Sequence, residues 1–437
     1  MKPKLIRTST IALSLNVLLK GQLCFLQNHY NVVAVSGYDE DLKEVAVREK
    51  VHVHAIEMQR QISPLKDLIS LIKLYLYFKK EKPQIVHSIT PKAGLLSMIA
   101  AKYAGVPVRM HTFTGLVFPS KKGIMQRILI LMDQLLCWHA TNVFPEGQGV
   151  KKDLLAYEIT NKPLKIIANG NVNGVDLSYF DSFHFSKQDN VKLREKLSIN
   201  HDDFVFIFVG RLVSDKGINE LVEAFGRFGE EEMGRKGEGE NGRMEDEEIR
   251  RKGEGKKGRR GDGEYWRIGE RENRRKGDLE DGKGSYSCKL LLVGLLEAEL
   301  DPLLPETLKS IEENPDIISV GFQNDVRPYF AIADALVFPS YREGFPNVVL
   351  QAGAMGLPSI VSDINGCNEI IINGNNGLII PVKNTGAVFE AMKKYLIDKQ
   401  VYQLHKKNAR NRIAENYEQK VVWSAILNEY KSLEENV

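Results

Sequence analysis

The sequence predicts an α/β chain with two parallel-sheet domains facing each other across a cleft, and three observations point to it. The 437 residues exceed what one ordinary hydrophobic core fills. Short apolar, β-branched runs alternate with helical segments along both halves, the pattern of a parallel sheet covered on both faces. The alternation breaks once near residues 166–176, in KIIANGNVNGVD, where Asn and Gly tolerate left-handed backbone and mark a linker.

In the first half, Lys2, Lys4 and Arg7 precede the run IALSLNVLL, which imitates a secretory leader. Nothing resembling a small-residue cleavage site follows it, and it is too short to span a bilayer. It reads as a first strand, a turn and a first helix. VVAVS (32–36), VHVHAI (51–56) and IVHSI (85–89) read as strands, and VPVRMHTFTG as a strand entering a loop. PLKDLISLIKLYLYFKK reads as a helix with Ser63 as cap and Pro64 behind it. PKAGLLSMIAAKYAG and GIMQRILILMDQLLCWHA read as two more helices. In the second half FVFIFVG (204–210), KLLLVG (289–294), IISVGF, ALVFPS, PSIVSD and GLIIPV are the strands, each one helical segment from the next. The predicted units are residues 1–170, residues 171–416, and a C-terminal helix over 417–437. In that helix Trp423, Ile426, Leu427 and Tyr430 recur at helical spacing.

Residues 229–284 interrupt the second half. They hold 14 Gly, 17 acidic and 16 basic residues with few apolar ones, too little apolar surface to offset ordering costs of ~1–2 kcal/mol per residue. The segment predicts a disordered insertion, and its near-cancelling charge argues against a nucleic-acid tail. The formal net charge of the whole chain, +3, argues the same way. Cys24, Cys137, Cys288 and Cys367 form no C-x-x-C pair, so a disulfide framework or zinc site is not expected and a reducing cytoplasm is. His52 and His54 share a strand face but lack a third ligand, and His87 and His139 read as core-edge residues.

Two stretches carry candidate chemistry. In EGFPNVVLQAGAMGLPSIVSD (343–363), Gly344, Phe345 and Pro346 form a loop, and Asn347 opens a helix. The free N–H groups and dipole of that helix make an anion site at the carboxyl edge of the sheet. Glu343 stands at its rim, and Asn347 and Gln351 share one helix face. In VGRLVSDKG (209–217), Arg211 and Lys216 bring two cations to the end of a buried strand, the usual ligand position in an open α/β sheet. A diphosphate would accept charge-assisted hydrogen bonds from both.

In order along the chain, NGVD (173–176), GRLVSDKG, LLLVG (290–294), VGFQNDVRPYFAIADALVFPSYREGFPN (320–347) and GLPSIVSDINGCNEII resemble the donor domain of the retaining glycosyltransferases of family 4, which have the GT-B architecture of two Rossmann-like domains. The resemblance implies a nucleotide-diphosphate sugar as co-substrate, no further cofactor and no obligatory metal. It implies that Gly210, Arg211, Lys216, Phe345, Pro346 and Asn347 bind the donor diphosphate, and that Glu343 binds hydroxyls of the transferred sugar. It also implies that Val320, Gly321 and Phe322 contact the base. The family's second carboxylate, for the ribose, is here Gln351, whose amide still accepts and donates one hydrogen bond each. HTFTG (111–115) resembles the family's His-bearing loop, making His111 the candidate that reaches the sugar from the acceptor domain. TSTIALSLN (8–16) stands where the family often has a Gly-rich loop, a departure that bears on the acceptor contacts. The family's last helix usually crosses back to the first domain.

The implied activity moves a hexose or N-acetylhexosamine to an acceptor hydroxyl, with a polyprenyl-linked saccharide in surface polysaccharide assembly as the expected acceptor. A non-catalytic sugar-nucleotide or partner-binding protein and a GT-B-like sugar-nucleotide epimerase or hydrolase are the alternatives. Lys66, Lys73, Lys79, Lys80, Lys121, Lys122 and Arg127 line the helical segments 64–80 and 123–138 beside many apolar residues. Such helices either cover a sheet or lie on an anionic membrane, and a lipid-linked acceptor favours the second, at the inner face of the plasma membrane.

Overall fold

The structure is a computed structural model, and it describes residues 2–59, 61–229, 287–297, 299 and 301–435. Two parallel sheets of six strands each form the framework. The first contains β1 (Lys4–Thr8), β2 (Asn31–Ser36), β3 (His52–Ala55), β4 (Ile85–Ser88), β5 (Val108–Phe113) and β6 (Asn142–Pro145), in the order β3-β2-β1-β4-β5-β6. The second contains β7 (Phe204–Val209), β8 (Cys288–Val293), β9 (Ile317–Ser319), β10 (Ala335–Phe338), β11 (Ser359–Ser362) and β12 (Gly377–Ile380), in the order β12-β11-β10-β7-β8-β9. Both orders place a switch point beside the first strand of the sheet, where loops diverge and leave room for a ligand. The insertion read at 229–284 lies, beyond Gly229, outside the described residues.

The strands form where the apolar runs predict them. β7 and β8 pair in register over all six residues, from Phe204 opposite Cys288 to Val209 opposite Val293, and their interior residues other than Lys289 are buried. Burial on both faces is why they read as continuous hydrophobic runs instead of alternating ones. β6 was not evident from the sequence: TNVFP is short and ends in Pro145. It sits at the sheet edge, where Pro is tolerated, and pairs with β5 from Asn142 opposite Met110 to Pro145 opposite Phe113.

Between the sheets the backbone turns repeatedly into the left-handed region, at Ala168, Gly170, Asn171 and Gly174. There Val175 exchanges hydrogen bonds with the chain's return segment, its N–H donating to Tyr417 (2.8 Å) and its carbonyl accepting from Gln419 (3.1 Å). A side chain at Gly174 would meet the Tyr417 carbonyl at 2.5 Å, so glycine lets the two crossing segments lie together. Helix Gln419–Glu435 then buries Val422, Ile426, Leu427 and Tyr430 in the core of the first sheet. The Tyr430 hydroxyl accepts from buried Arg7 at 2.8 Å and bonds His87 at 2.7 Å, so this helix is held by buried polar contacts as well as by apolar area.

Candidate active site

The loops at the carboxyl ends of the strands carry the site. After β7 the chain passes Gly210, whose φ of +153° suits glycine alone, and turns through Arg211 and Leu212. After β8, Gly294 lies so close that a Cβ there would sit 1.7 Å from the Gly210 carbonyl oxygen. Two glycines therefore let the loops following neighbouring strands run back to back. Lys216 ends a single 3₁₀ turn, Ser214–Lys216, and Gly217 follows at φ +71°, packed against the Pro339 carbonyl.

This turn aims Lys216 at the loop after β10. Its ammonium forms an ion pair with Glu343 Oε1, both side chains largely buried, and the Ser340 hydroxyl donates to the same oxygen at 3.1 Å. Helix Asn347–Ala354 begins beyond, with Pro346 as N-cap and no side-chain cap. Among the described residues the N–H groups of Asn347 and Val348 have no acceptor, which leaves positive partial charge beside the Lys216–Glu343 pair.

The other expected site residues fall in different places. Arg211 is half-exposed and pairs with Glu297 at 2.9 Å, so its guanidinium is held at the mouth by a carboxylate that no motif singles out. The Asn347 amide oxygen accepts from Asn171 in the linker at 2.9 Å. Gln351 is half-buried, and its amide has no protein partner among the described residues. Val320, Gly321 and Phe322 follow β9: the Val320 carbonyl accepts from Gln323, that of Gly321 from Gly294, and the Phe322 ring is exposed. Phe345 turns inward, against Tyr417 (ring centroids 5.5 Å apart) and the backbone at Gly170. Only its backbone is available to a ligand.

His111 is not at the cleft. It is 1% exposed, its Nδ1 bonds Ser88 at 2.8 Å, and its ring lies under Gly94, where a Cβ would meet it at 2.5 Å. Burial drives its pKa down to about 3, so the ring is neutral. The residue belongs to β5 proper, whose side chains enter the packed layers on either side. Only after the strand ends does the loop reach the second domain: a Cβ on Gly344 would fall 2.5 Å from the Thr114 carbonyl and 3.1 Å from the Gly115 Cα. Thr114 and Gly115 are thus the residues of this loop that touch the Glu343 loop, and their only sequence signal was their place after the strand.

Sequence reasoning also missed Glu146, which follows β6 and is buried beside the linker. Its pKa is pushed up to about 8, first by burial and then by the nearby carboxylates of Glu369 and Glu343, against the Val172 N–H that favours the charged form. Cys24, Cys137 and Cys367 are free thiols.

Residues 12–144 match the family described as "Glycosyl transferase 4-like", and residues 280–398 match "Glycosyl transferases group 1". A capsular polysaccharide biosynthesis glycosyltransferase, CapM, of Staphylococcus aureus is 28% identical over 95% of this chain and 93% of its own length. A UDP-Gal:alpha-D-GlcNAc-diphosphoundecaprenol alpha-1,3-galactosyltransferase of Escherichia coli is 29% identical over 82% of this chain and 78% of its own. Among solved structures, a glycosyltransferase of Rickettsia africae superposes with a TM-score of 0.71 at 17% identity over the full length of both chains. Anabaena HepE with UDP and glucose gives 0.71 at 16% identity, covering 98% of this chain and all of the other. The chain belongs to the family 4 type of glycosyltransferases and has their GT-B fold.

Proposed function

We propose that the protein transfers a hexose or N-acetylhexosamine from a nucleotide-diphosphate sugar to a hydroxyl of a lipid-linked saccharide, with retention of anomeric configuration, in surface polysaccharide assembly. The observation that carries the donor half is the meeting of Lys216 and Glu343 beside the uncapped N-terminus of helix Asn347–Ala354. A cation and free backbone N–H groups suit a diphosphate, and the adjoining carboxylate suits sugar hydroxyls. The names of the relatives from S. aureus and E. coli, one a capsular enzyme and one acting on a diphosphoundecaprenol-linked sugar, support the acceptor class.

In this reading the acceptor hydroxyl oxygen bonds to the anomeric carbon as the bond from that carbon to the phosphate oxygen breaks. The hydroxyl proton passes to the leaving diphosphate on the same face of the sugar. Lys216, Arg211 and the helix N–H groups stabilise the charge that develops on the leaving group, while Glu343 holds the sugar. The loop at Thr114 and Gly115 brings the acceptor domain against the Glu343 loop. Incubation with a panel of labelled sugar nucleotides, with and without polyprenyl-diphosphate saccharide, tests the proposal. Labelled acceptor with the donor's anomeric configuration is expected; free sugar, an epimer or an inverted linkage overturns it.

The same acceptor class accounts for a second surface. Helices Pro64–Glu81 and Gly123–His139 both pack on helix Pro91–Ala104, and each buries one apolar face there. Each also exposes a second stripe at helical spacing: Leu65, Leu68, Ile69, Ile72 and Leu76 on one, Ile124, Ile128, Leu131, Leu135 and Trp138 on the other. Ile124 is 77% exposed and Leu65 79%. Exposed lysines at 66, 73, 79, 80, 121 and 122 accompany the stripes. An apolar band edged by cations fits an anionic bilayer surface. Among the described residues no helix is long and apolar enough to cross a membrane. The protein should sediment with phosphatidylglycerol vesicles but not with phosphatidylcholine vesicles. The double variant I72E/L131E should lose about tenfold or more of that binding; equal binding to both lipids, or by the variant, refutes the surface.

A further inference from the structure

The two domains touch at a second place, away from the Lys216–Glu343 pair. Helix Gln148–Ala156 of the first domain starts at Gly147, which offers no side-chain cap. Its first N–H groups are capped instead from the second domain. Gln148 and Gly149 donate to the Glu369 carboxylate at 2.6 and 3.0 Å, one to each oxygen. One turn along the same helix, Asp153 accepts from the Asn365 amide at 2.9 Å. Both partners belong to the segment between β11 and the end of the short helix Cys367–Ile370.

This fit depends on two glycines. A Cβ at Gly147 would fall 2.7 Å from Glu369 Oε1, and one at Gly149 would fall 2.1 Å from Asn365 Oδ1. Glu369 is also braced from behind: its carbonyl accepts from Arg412 at 3.1 Å and from the Tyr417 hydroxyl at 3.0 Å, where the chain turns back toward the first domain. The segment also supports the sugar-side loop directly. A Cβ on Gly366 would lie 2.6 Å from the Gly344 carbonyl and 2.7 Å from the Phe345 Cα. One rigid piece of the second domain thus touches the acceptor domain at Gly147–Asp153 and backs the loop that carries Glu343.

We propose that Glu369 and Asn365 are positioning residues that hold the two domains closed, Glu369 by capping a helix of the opposite domain, and so set the Glu343 loop against Thr114 and Gly115. A carboxylate at a helix N-terminus is favoured by both the free N–H groups and the dipole, and here it is available only when the domains meet. The proposal rests on the reading of Glu343 as the sugar-binding carboxylate for its effect on turnover, but not for its effect on domain closure.

The test uses the full chain and the variants Glu369→Ala, Glu369→Gln, Asn365→Ala and Gly149→Ala. Small-angle scattering without ligand reads closure. Initial rates with the sugar nucleotide that the panel identifies read catalysis, and thermal melting reads folding. Glu369→Ala should give a larger radius of gyration, and kcat should fall by about tenfold to a hundredfold with donor KM little changed, as expected for misplaced groups. Glu369→Gln keeps a carbonyl acceptor and should fall between the two. Gly149→Ala leaves the second domain intact and should reproduce the open profile by steric obstruction alone. If Glu369→Ala and Gly149→Ala both scatter like the unaltered protein, the proposal fails whatever the chain transfers. An enlarged radius with no turnover in any form of the protein instead upholds the closure and removes the glycosyl-transfer reading.

Discussion

The Lys216 ammonium and the Glu343 carboxylate, 127 residues apart in the sequence, meet as an ion pair at the carboxyl edge of the second sheet. Each has the chemistry of a different part of a sugar nucleotide, and each holds the other in place without ligand. Glu343→Gln removes the charge but keeps the shape. Turnover should fall by about 100- to 1000-fold, as when a preorganised polar group is lost from an active site. Melting should fall as well, because the largely buried Lys216 ammonium loses its paired charge, but far less than turnover does. Steady-state rates beside a thermal melt check this; unchanged turnover removes Glu343 from the site.

Arg211 and Glu297 pair at the mouth, where both are accessible to water. Such a pair contributes ~0.2–1 kcal/mol to stability at most. Arg211→Ala should therefore leave melting unchanged but raise the donor KM by about 10- to 100-fold, through one lost charge-assisted hydrogen bond. Glu297→Gln should shift KM the other way, since the guanidinium no longer has a competing carboxylate. Donor titration of both variants decides it.

Gln351 carries an amide without a protein partner among the described residues, on the same helix face as Asn347. Gln351→Glu would exchange a neutral acceptor for a charged one, which roughly doubles hydrogen-bond strength. Nucleotide affinity measured by calorimetry should rise by about three- to tenfold. A fall would mean that the position does not face the ribose.

Glu146 gives a pH signature. Its ordinary value of 4.5 is raised to about 8 by burial and by neighbouring carboxylates. Between those values the folded chain holds a proton that the unfolded chain has released. Stability from this group is therefore full below 4.5, declines as pH rises, and is gone above 8. Glu146→Gln should remove that slope and gain about 2–4 kcal/mol relative to the unaltered protein at pH 8.5, with little difference at pH 4.5. Denaturant midpoints at the two pH values check the sign.

Gly294 is the least replaceable of the loop glycines. Its φ is +151°, and a Cβ would lie 1.7 Å from the Gly210 carbonyl oxygen. Gly294→Ala should cost about 2 kcal/mol or more and separate the loops after β7 and β8. Gly226→Ala, with nothing among the described residues within 4 Å of its added Cβ, is the control.

The sequence by itself determined the framework. Apolar runs such as FVFIFVG and KLLLVG have no alternative to a doubly covered parallel sheet, and the Asn- and Gly-rich stretch at 166–176 reads as the crossing because few other residues adopt that backbone. That Arg211, Lys216 and Glu343 follow strand ends at one edge was legible for the same reason, since strand ends in such sheets open onto one edge. Side-chain direction was not legible. In a strand buried on both faces, hydrophobic pattern does not say which layer a residue enters, so His111 could be taken for a cleft residue although the fold packs it against Gly94 and leaves Thr114 and Gly115 at the contact. Partners from distant segments were equally hidden: Glu297 on Arg211, and Glu369 on the helix opened by Gly147. These contacts join segments that only the packing of one sheet's loops against the other's brings within hydrogen-bonding distance, and no local spacing along a chain encodes them.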